Sequence, residues 1–318
     1  MTLRAGFDVG GTNARVQLFD GTTSRGEARA RIRDATGPDE VTRRMAALLK
    51  TICDEAGISP GDLSSIGVGL AAQFSADRRI VKNSPNLGWR DLPFADLLTD
   101  ALPRDCPPIS LVNDLTAQIW GEALAGAVQG FDDVLAVYVG TGIGGAILAG
   151  GRIVDGAGHN TGEIGHVKVV VDGRPCGCGE AGCVEAYAGG VHLEARLADL
   201  AAAHPDDGQL SSLVSDDRVD LGRADELAGD HPAVKALWQE ATDHLGLVVA
   251  NAITLLNPAA LLLGGGVLDN CLTFRQMTID RALPLVLQVA RDDLQICRAA
   301  LGDLAGMLGA ADLAARGW

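Results

Sequence analysis

The residues best equipped for chemistry lie between positions 162 and 185, where Gly-Glu-Ile-Gly-His is followed by Cys-Gly-Cys-Gly-Glu-Ala-Gly-Cys-Val-Glu. Cys176, Cys178 and Cys183 stand at C-x-C-x4-C spacing, and His166 precedes the first of them by ten positions. Three thiols and an imidazole make a Cys3His set. Zn²⁺ favours four tetrahedral N/S ligands, and a closed set leaves no open position for water, so the expected metal is structural. Gly173, Gly177, Gly179 and Gly182 let the loop wrap tightly around it. Three free thiols are the plainer alternative; disulfide pairing would leave one cysteine over.

Two further stretches offer backbone in place of side chains. Asp8 is followed by Gly10, Gly11, Thr12 and Asn13; much later Gly140, Thr141 and Gly142 open a run that continues Ile-Gly-Gly. Turns of this kind present N–H groups and a hydroxyl inward, as a polyphosphate tail lying between two domains requires. Ordinary β-turns would look the same singly, but the pair is joined by a third glycine stretch, Gly264, Gly265 and Gly266, where a ligand could lie on bare backbone. No G-x-x-x-x-G-K-[ST] occurs. Gly140, Gly142 and Gly145 match G-x-G-x-x-G, but an apolar strand follows where a dinucleotide site needs a helix. Asp114 follows Asn113 at a strand-to-helix junction, a place for a general base or for a helix cap.

The elements that must position these residues fall into two similar halves, each opening with strand, Gly/Thr turn, strand. In the first, residues 6–18 form that unit, Pro38 opens a helix with Val41, Met45, Leu48, Leu49 and Ile52 on one face, and strands follow at 66–71, 79–81 and 109–112. A polar loop at 83–89 suits a small polar ligand, and 115–127 is expected to be helical. In the second, strands at 135–139 and 146–148 flank the turn, 166–171 is a strand before the cysteine loop, and 185–203 is a helix. Residues 206–230 read as a polar surface excursion, Pro232 opens a long helix to Leu256, 259–263 is a buried strand, and 303–316 is a helix apolar on one side. The expected division is an N-terminal α/β domain over 1–112, completed by the C-terminal helix 302–318, and a C-terminal α/β domain over 113–301 bearing the zinc loop.

Composition narrows the partners. Hydrophobic residues make up 47% of the 318 and aromatics 4%, with 41 glycines, which fits an aliphatic α/β core with many tight turns. The formal charge of −15 argues against a nucleic-acid or anionic-membrane surface, since phosphate backbones demand a Lys/Arg footprint. The uncharged run 134–151 is long enough to suggest a membrane span, but its six glycines favour a hairpin. The opening residues lack the basic and apolar regions of a signal peptide, so a cytoplasmic protein is expected.

Taken in order, Asp8-x-Gly10-Gly11-Thr12, Asn113-Asp114, the glycine run from 140 to 145, Gly162-Glu163-Ile164-Gly165-His166, the cysteine loop and Gly264-Gly265-Gly266 resemble the ROK family of bacterial sugar kinases over nearly the whole chain. Pro85-Asn86-Leu87-Gly88-Trp89 looks like the sugar-loop signature of its glucokinase branch. The resemblance implies a two-domain actin-like ATPase (ribonuclease H-like) fold, a homodimer or homotetramer, ATP with Mg²⁺, and phosphorylation of a hexose, glucose first, at its 6-hydroxyl. It implies Asp114 as general base and Asn86, Asn113, Asp114, Glu163, His166 and Glu185 as sugar ligands, with Asp8, the two turns and the triple glycine at the nucleotide. His166 would then serve both zinc and sugar. Family repressors carry a helix-turn-helix ahead of the Asp-x-Gly-Gly-Thr motif, where this sequence has seven residues. An N-acetylglucosamine or N-acetylmannosamine kinase and a catalytically silent sugar sensor are the alternatives. Two departures, Ala72-Gln73 in place of an expected Gly-Pro and Ala146 in place of a glycine, bear on sugar or nucleotide fit.

Overall fold

Strand Leu3–Val9 lies at the centre of the first sheet, and the computed structural model that contains it describes residues 2–215 and 218–318. Met1, Asp216 and Asp217 lie outside the described residues, and with the last two goes the middle of the expected excursion 206–230. The chain forms two compact units, one of Met1–Phe131, Arg152–Thr161 and Ala300–Trp318, the other of Asp132–Gly151 and Gly162–Ala299. Among the described residues no helix is long and apolar enough to cross a membrane.

In the first unit the strands lie in the order Thr23–Arg31, Asn13–Asp20, Leu3–Val9, Ser65–Leu70, Ile109–Asn113, antiparallel up to the centre and parallel beyond it. Side chains alternate across a strand, so each face is chosen residue by residue. Phe7, Val9, Ile66 and Val68 join Met45, Leu49 and Ile52 of the helix Pro38–Ala56 in one core. Gly57 ends that helix in the left-handed conformation, at φ 70°. On the other face Gly6 and Gly67 are paired neighbours, and a methyl on either would run into the carbonyls of Met307 or Ala310. Their lack of side chains lets the C-terminal helix Asp303–Ala315 lie directly on the sheet.

That helix explains why the first unit extends to residue 131, past the expected boundary at 112. Helix Asp114–Ala125 packs against it through Gly121 and Gly309, where methyls would strike the carbonyls of Ala305 and Ala117. Glu122, 1% exposed, locks the pair by accepting the N–H groups of Ala300 and Leu301, each at 2.8 Å. Ala305 to Leu313 are buried all round, so the one-sided apolar face expected here is replaced by a helix enclosed between sheet and helix. Its Asp312 accepts from Arg4, Trp120 and Arg316. Burial opposes ionisation there, but those donors hold the carboxyl below its ordinary value. Residues 79–80 belong to a turn fixed by Ser75 and Asp77; the strand starts at Val81 and joins Gln73–Phe74 and Trp89–Leu92 in a small sheet around residues 85–88.

The second unit repeats the opening hairpin with Val134–Val139 and Ile143–Ala149, followed in the sheet by Ala260–Gly264 and Gln295–Arg298. The uncharged run is thus a hairpin. Helix Pro232–Leu256 packs Trp238, Ala241, Leu245 and Val249 into the core. Three expectations change. Residues 166–171 form no strand: Ile164–His166 is a 3-10 turn, and the backbone beyond bonds to the cysteine loop, with Val169 N–H on Gly182 O at 2.8 Å. The expected helix 185–203 breaks at Gly189, because the N–H groups of Gly190 and Val191 bond to Gly140 O and Thr141 O at 2.9 and 3.0 Å and start a new helix there, Gly190–Ala203. The described part of 206–230 is no mere surface excursion, since Leu210, Leu213, Ala224 and Leu227 are buried in the core.

Candidate functional site

The cysteine loop and the 3-10 turn bring the expected metal ligands together: one ligand atom from each of His166, Cys176, Cys178 and Cys183 lies within 4.8 Å of the others. Cys178 and Cys183 sulfurs are 3.7 Å apart, and Cys176 Sγ is 3.7 Å from His166 Nδ1. Tetrahedral zinc, with Zn–S about 2.3 Å and Zn–N about 2.0–2.1 Å, sets ligand atoms roughly 3.5–3.8 Å apart, so the residues fit the ion. Lys168 Nζ donates to Cys183 Sγ at 3.1 Å, a contact from outside the set that orients one of its sulfurs. Burial pushes the Cys176 thiol up to about 12, so at neutral pH it gives up its proton only to a competing cation.

With Nδ1 turned to the sulfurs, His166 Nε2 is 3.7 Å from Glu163 Oε2. Glu163 is 40% exposed, available to a ligand. Glu185 is placed differently: Oε2 accepts the N–H of Ile143 at 2.8 Å and Oε1 lies 3.5 Å from Cys176 Sγ.

A cavity of 1340 Å³ lies within the same unit. Bare backbone at Gly140, Gly190 and Gly266 lines it, with apolar Val191, Leu213, Val219 and Leu221 and polar Thr141, Glu194, Arg218, Asp220 and Asn270. This is the mixture a nucleoside triphosphate requires. Most of those residues come from the stretch read as an excursion and from helix starts, and sequence reasoning missed them; the apolar spacing of Leu213, Val219 and Leu221 inside a polar stretch was the available signal. Of the triple glycine, only Gly266 lines the cavity. Gly264 is glycine because Tyr138 fills its side-chain space, and Gly265, at φ 93°, lies against the Val139 backbone. Gly142 is packed against the Glu185 carboxylate. Ala146 sits in the strand opposite Ala136, away from the turn.

In the first unit, Asp8 is the next-to-last residue of its strand and the turn at 10–13 is closed by Gly10 N–H on Asn13 O at 3.0 Å. Burial pushes the Asp8 carboxyl up and Arg15 partly offsets it. Thr12 turns its carbonyl to the N–H groups of Ile32 and Arg33. The exposed Asn86 has its backbone carbonyl 2.7 Å from where a Gly11 methyl would stand, so the sugar-loop signature and the first turn adjoin. Asn113 is the helix cap: its Oδ1 accepts from Leu115 and Thr116 N–H at 3.0 and 3.2 Å, and its Nδ2 reaches Ala72 O at 3.4 Å. Asp114 is the first helical residue, so the cap that it could have supplied belongs to its neighbour.

The whole chain is similar to known proteins. The chain is 31% identical over 317 residues to a glucokinase of Halalkalibacterium halodurans, covering 96% of this chain and 92% of that one. It is 29% identical over 318 residues to an N-acetyl-D-glucosamine kinase of Yersinia pseudotuberculosis, covering 97% of each. It is also similar to the crystal structure of a ROK family glucokinase from Streptomyces griseus in complex with glucose and AMPPNP, with a TM-score of 0.80, 30% identity and 99% of both chains covered. The mixed α/β sheets are those of the actin-like ATPase fold. Since the ROK family model matches residues 4–316, which take in both units, the chain belongs to the ROK family.

Proposed function

We propose that this protein transfers the γ-phosphoryl group of ATP, taken with Mg²⁺, to the 6-hydroxyl of a hexose, glucose before others. The observation that carries this reading is the divided imidazole of His166, with Nδ1 at the sulfur set and Nε2 beside the half-exposed Glu163, in a chain 31% identical to a glucokinase. Hexose hydroxyls need such converging acceptors and donors. His166, Cys176, Cys178 and Cys183 would hold zinc, whose contribution when bound is to fix the segment bearing Glu163 and Glu185.

Phosphoryl transfer is mostly positioning and charge stabilisation, with one group to receive the hydroxyl proton. Asp114 takes that role: the helix start on which it stands favours the carboxylate, and Asn113 supplies the cap. The sugar O6 attacks phosphorus as its proton passes to Asp114, and ADP leaves. The cavity lined by Gly140, Thr141 and Gly266 receives the nucleotide.

The test is a coupled assay of ADP release from ATP against a hexose panel, in which glucose should show the highest kcat/KM. N-acetylglucosamine has a claim of its own from the relative at 29% identity, and a higher kcat/KM for it would move the substrate to the N-acetylhexosamines. Absence of ADP release with every hexose of the panel would overturn the kinase reading in favour of a sugar sensor.

A further inference from the structure

Glu185 touches both the metal set and the turn at residues 140–145. Its Oε2 accepts the Ile143 N–H at 2.8 Å, and it occupies the space a side chain on Gly142 would need. Ile143 is 5% exposed, so its N–H has no ready substitute from bulk water. Immediately after Glu185, the segment returns to the same turn: Gly190 and Val191 N–H groups bind the carbonyls of Gly140 and Thr141. The turn is therefore held by a carboxylate from one side of the break at Gly189 and by two amides from the other.

Glu185 is itself held in place. Its short helix Glu185–Ala188 carries Tyr187, whose hydroxyl accepts the Arg174 N–H at 3.0 Å. The Arg174 guanidinium lies 4.5 Å from the Tyr187 ring centre and donates to both Glu240 oxygens at 2.8 and 3.0 Å. A carboxylate on so fixed a base can dictate where the turn sits.

We propose that Glu185 is a positioning residue for the nucleotide: it holds the turn at 140–145 in the shape that receives the phosphates, so that its loss weakens ATP binding even when no sugar is present. This rests on the kinase reading above and extends it, because a residue serving only the sugar would leave nucleotide affinity alone. Glu163, which has no contact with the turn among the hydrogen bonds of the described residues, is the internal control.

The experiment is calorimetric titration of the zinc-loaded protein with Mg²⁺ and a non-hydrolysable ATP analogue, without sugar, for wild type, Glu185→Ala, Glu185→Gln and Glu163→Ala, with zinc content measured on each sample. Glu185→Ala should weaken analogue binding about tenfold or more, since the Ile143 N–H is left without its acceptor. Glu185→Gln should stay within about threefold of wild type, its amide oxygen still accepting that N–H. Glu163→Ala should bind the analogue as wild type does. Equal analogue affinity in wild type and Glu185→Ala would overturn the proposal, as would a loss that simply follows zinc content. Wild type that fails to bind the analogue would instead strike the kinase reading itself.

Discussion

In the first unit, strand Leu3–Val9 enters its Gly/Thr turn carrying a carboxylate of its own, Asp8; in the second, strand Val134–Val139 enters the matching turn with Tyr138 in that place. The second turn takes its carboxylate from Glu185, 42 residues beyond Ile143. The backbones agree: each is an antiparallel hairpin whose first strand pairs in parallel with a later one. The charges do not. A carboxylate built into a sheet is desolvated by it, and Asp8 is accordingly pushed up, whereas one brought in from a separate short helix can be set against a waiting N–H. Repetition of a backbone motif therefore says little about where its charge comes from.

The largest way to break this comparison is to remove the proposed base, which neither turn supplies. Asp114→Asn should fold, since Asn113 carries the cap, and should bind glucose normally by calorimetry, while kcat falls roughly 10²-fold to 10⁴-fold. A variant turning over within a few-fold of wild type would reduce Asp114 to a helix-start residue. Next comes the metal side of the second unit, where Cys176→Ala should lose zinc, measured by metal analysis, together with sugar binding. Full activity in zinc-free protein would show that sugar binding does not depend on the metal.

A smaller effect sharpens the contrast in charge. Asp8 has a raised folded pKa, so its contribution to stability is most favourable below the unfolded value, about 3.9, and is lost as pH rises through the folded value. Asp8→Asn should therefore raise Tm at pH 7, by about 2–4 °C per kcal/mol relieved, even as turnover falls, and the gain should vanish near pH 3. A Tm difference independent of pH would mean that burial of Asp8 is not its source. The smallest effects separate positions within each turn: Gly11→Ala meets the Asn86 carbonyl and should cost about 1–3 kcal/mol in chemical denaturation. Gly140→Ala, with open space around it, should stay within about 0.5 kcal/mol of wild type.

What the sequence by itself determined is whatever local chemistry dictates. The two hairpins, the helices opened by Pro38 and Pro232 and the Cys3His set all follow from spacing, turn residues and ligand type, which act over a few positions. Only the tertiary structure decided the rest. That Gly6 and Gly67 admit a helix from the far end of the chain, that Glu122 binds residues 300 and 301, and that Leu213, Val219 and Leu221 line a cavity depend on partners remote in sequence. Glu163 and Glu185 read alike as sugar-facing acids, yet one stands half-exposed beside His166 and the other accepts a turn amide. A carboxylate's role is set by which donor reaches it, and that donor is placed by the packing of elements that spacing alone does not bring together.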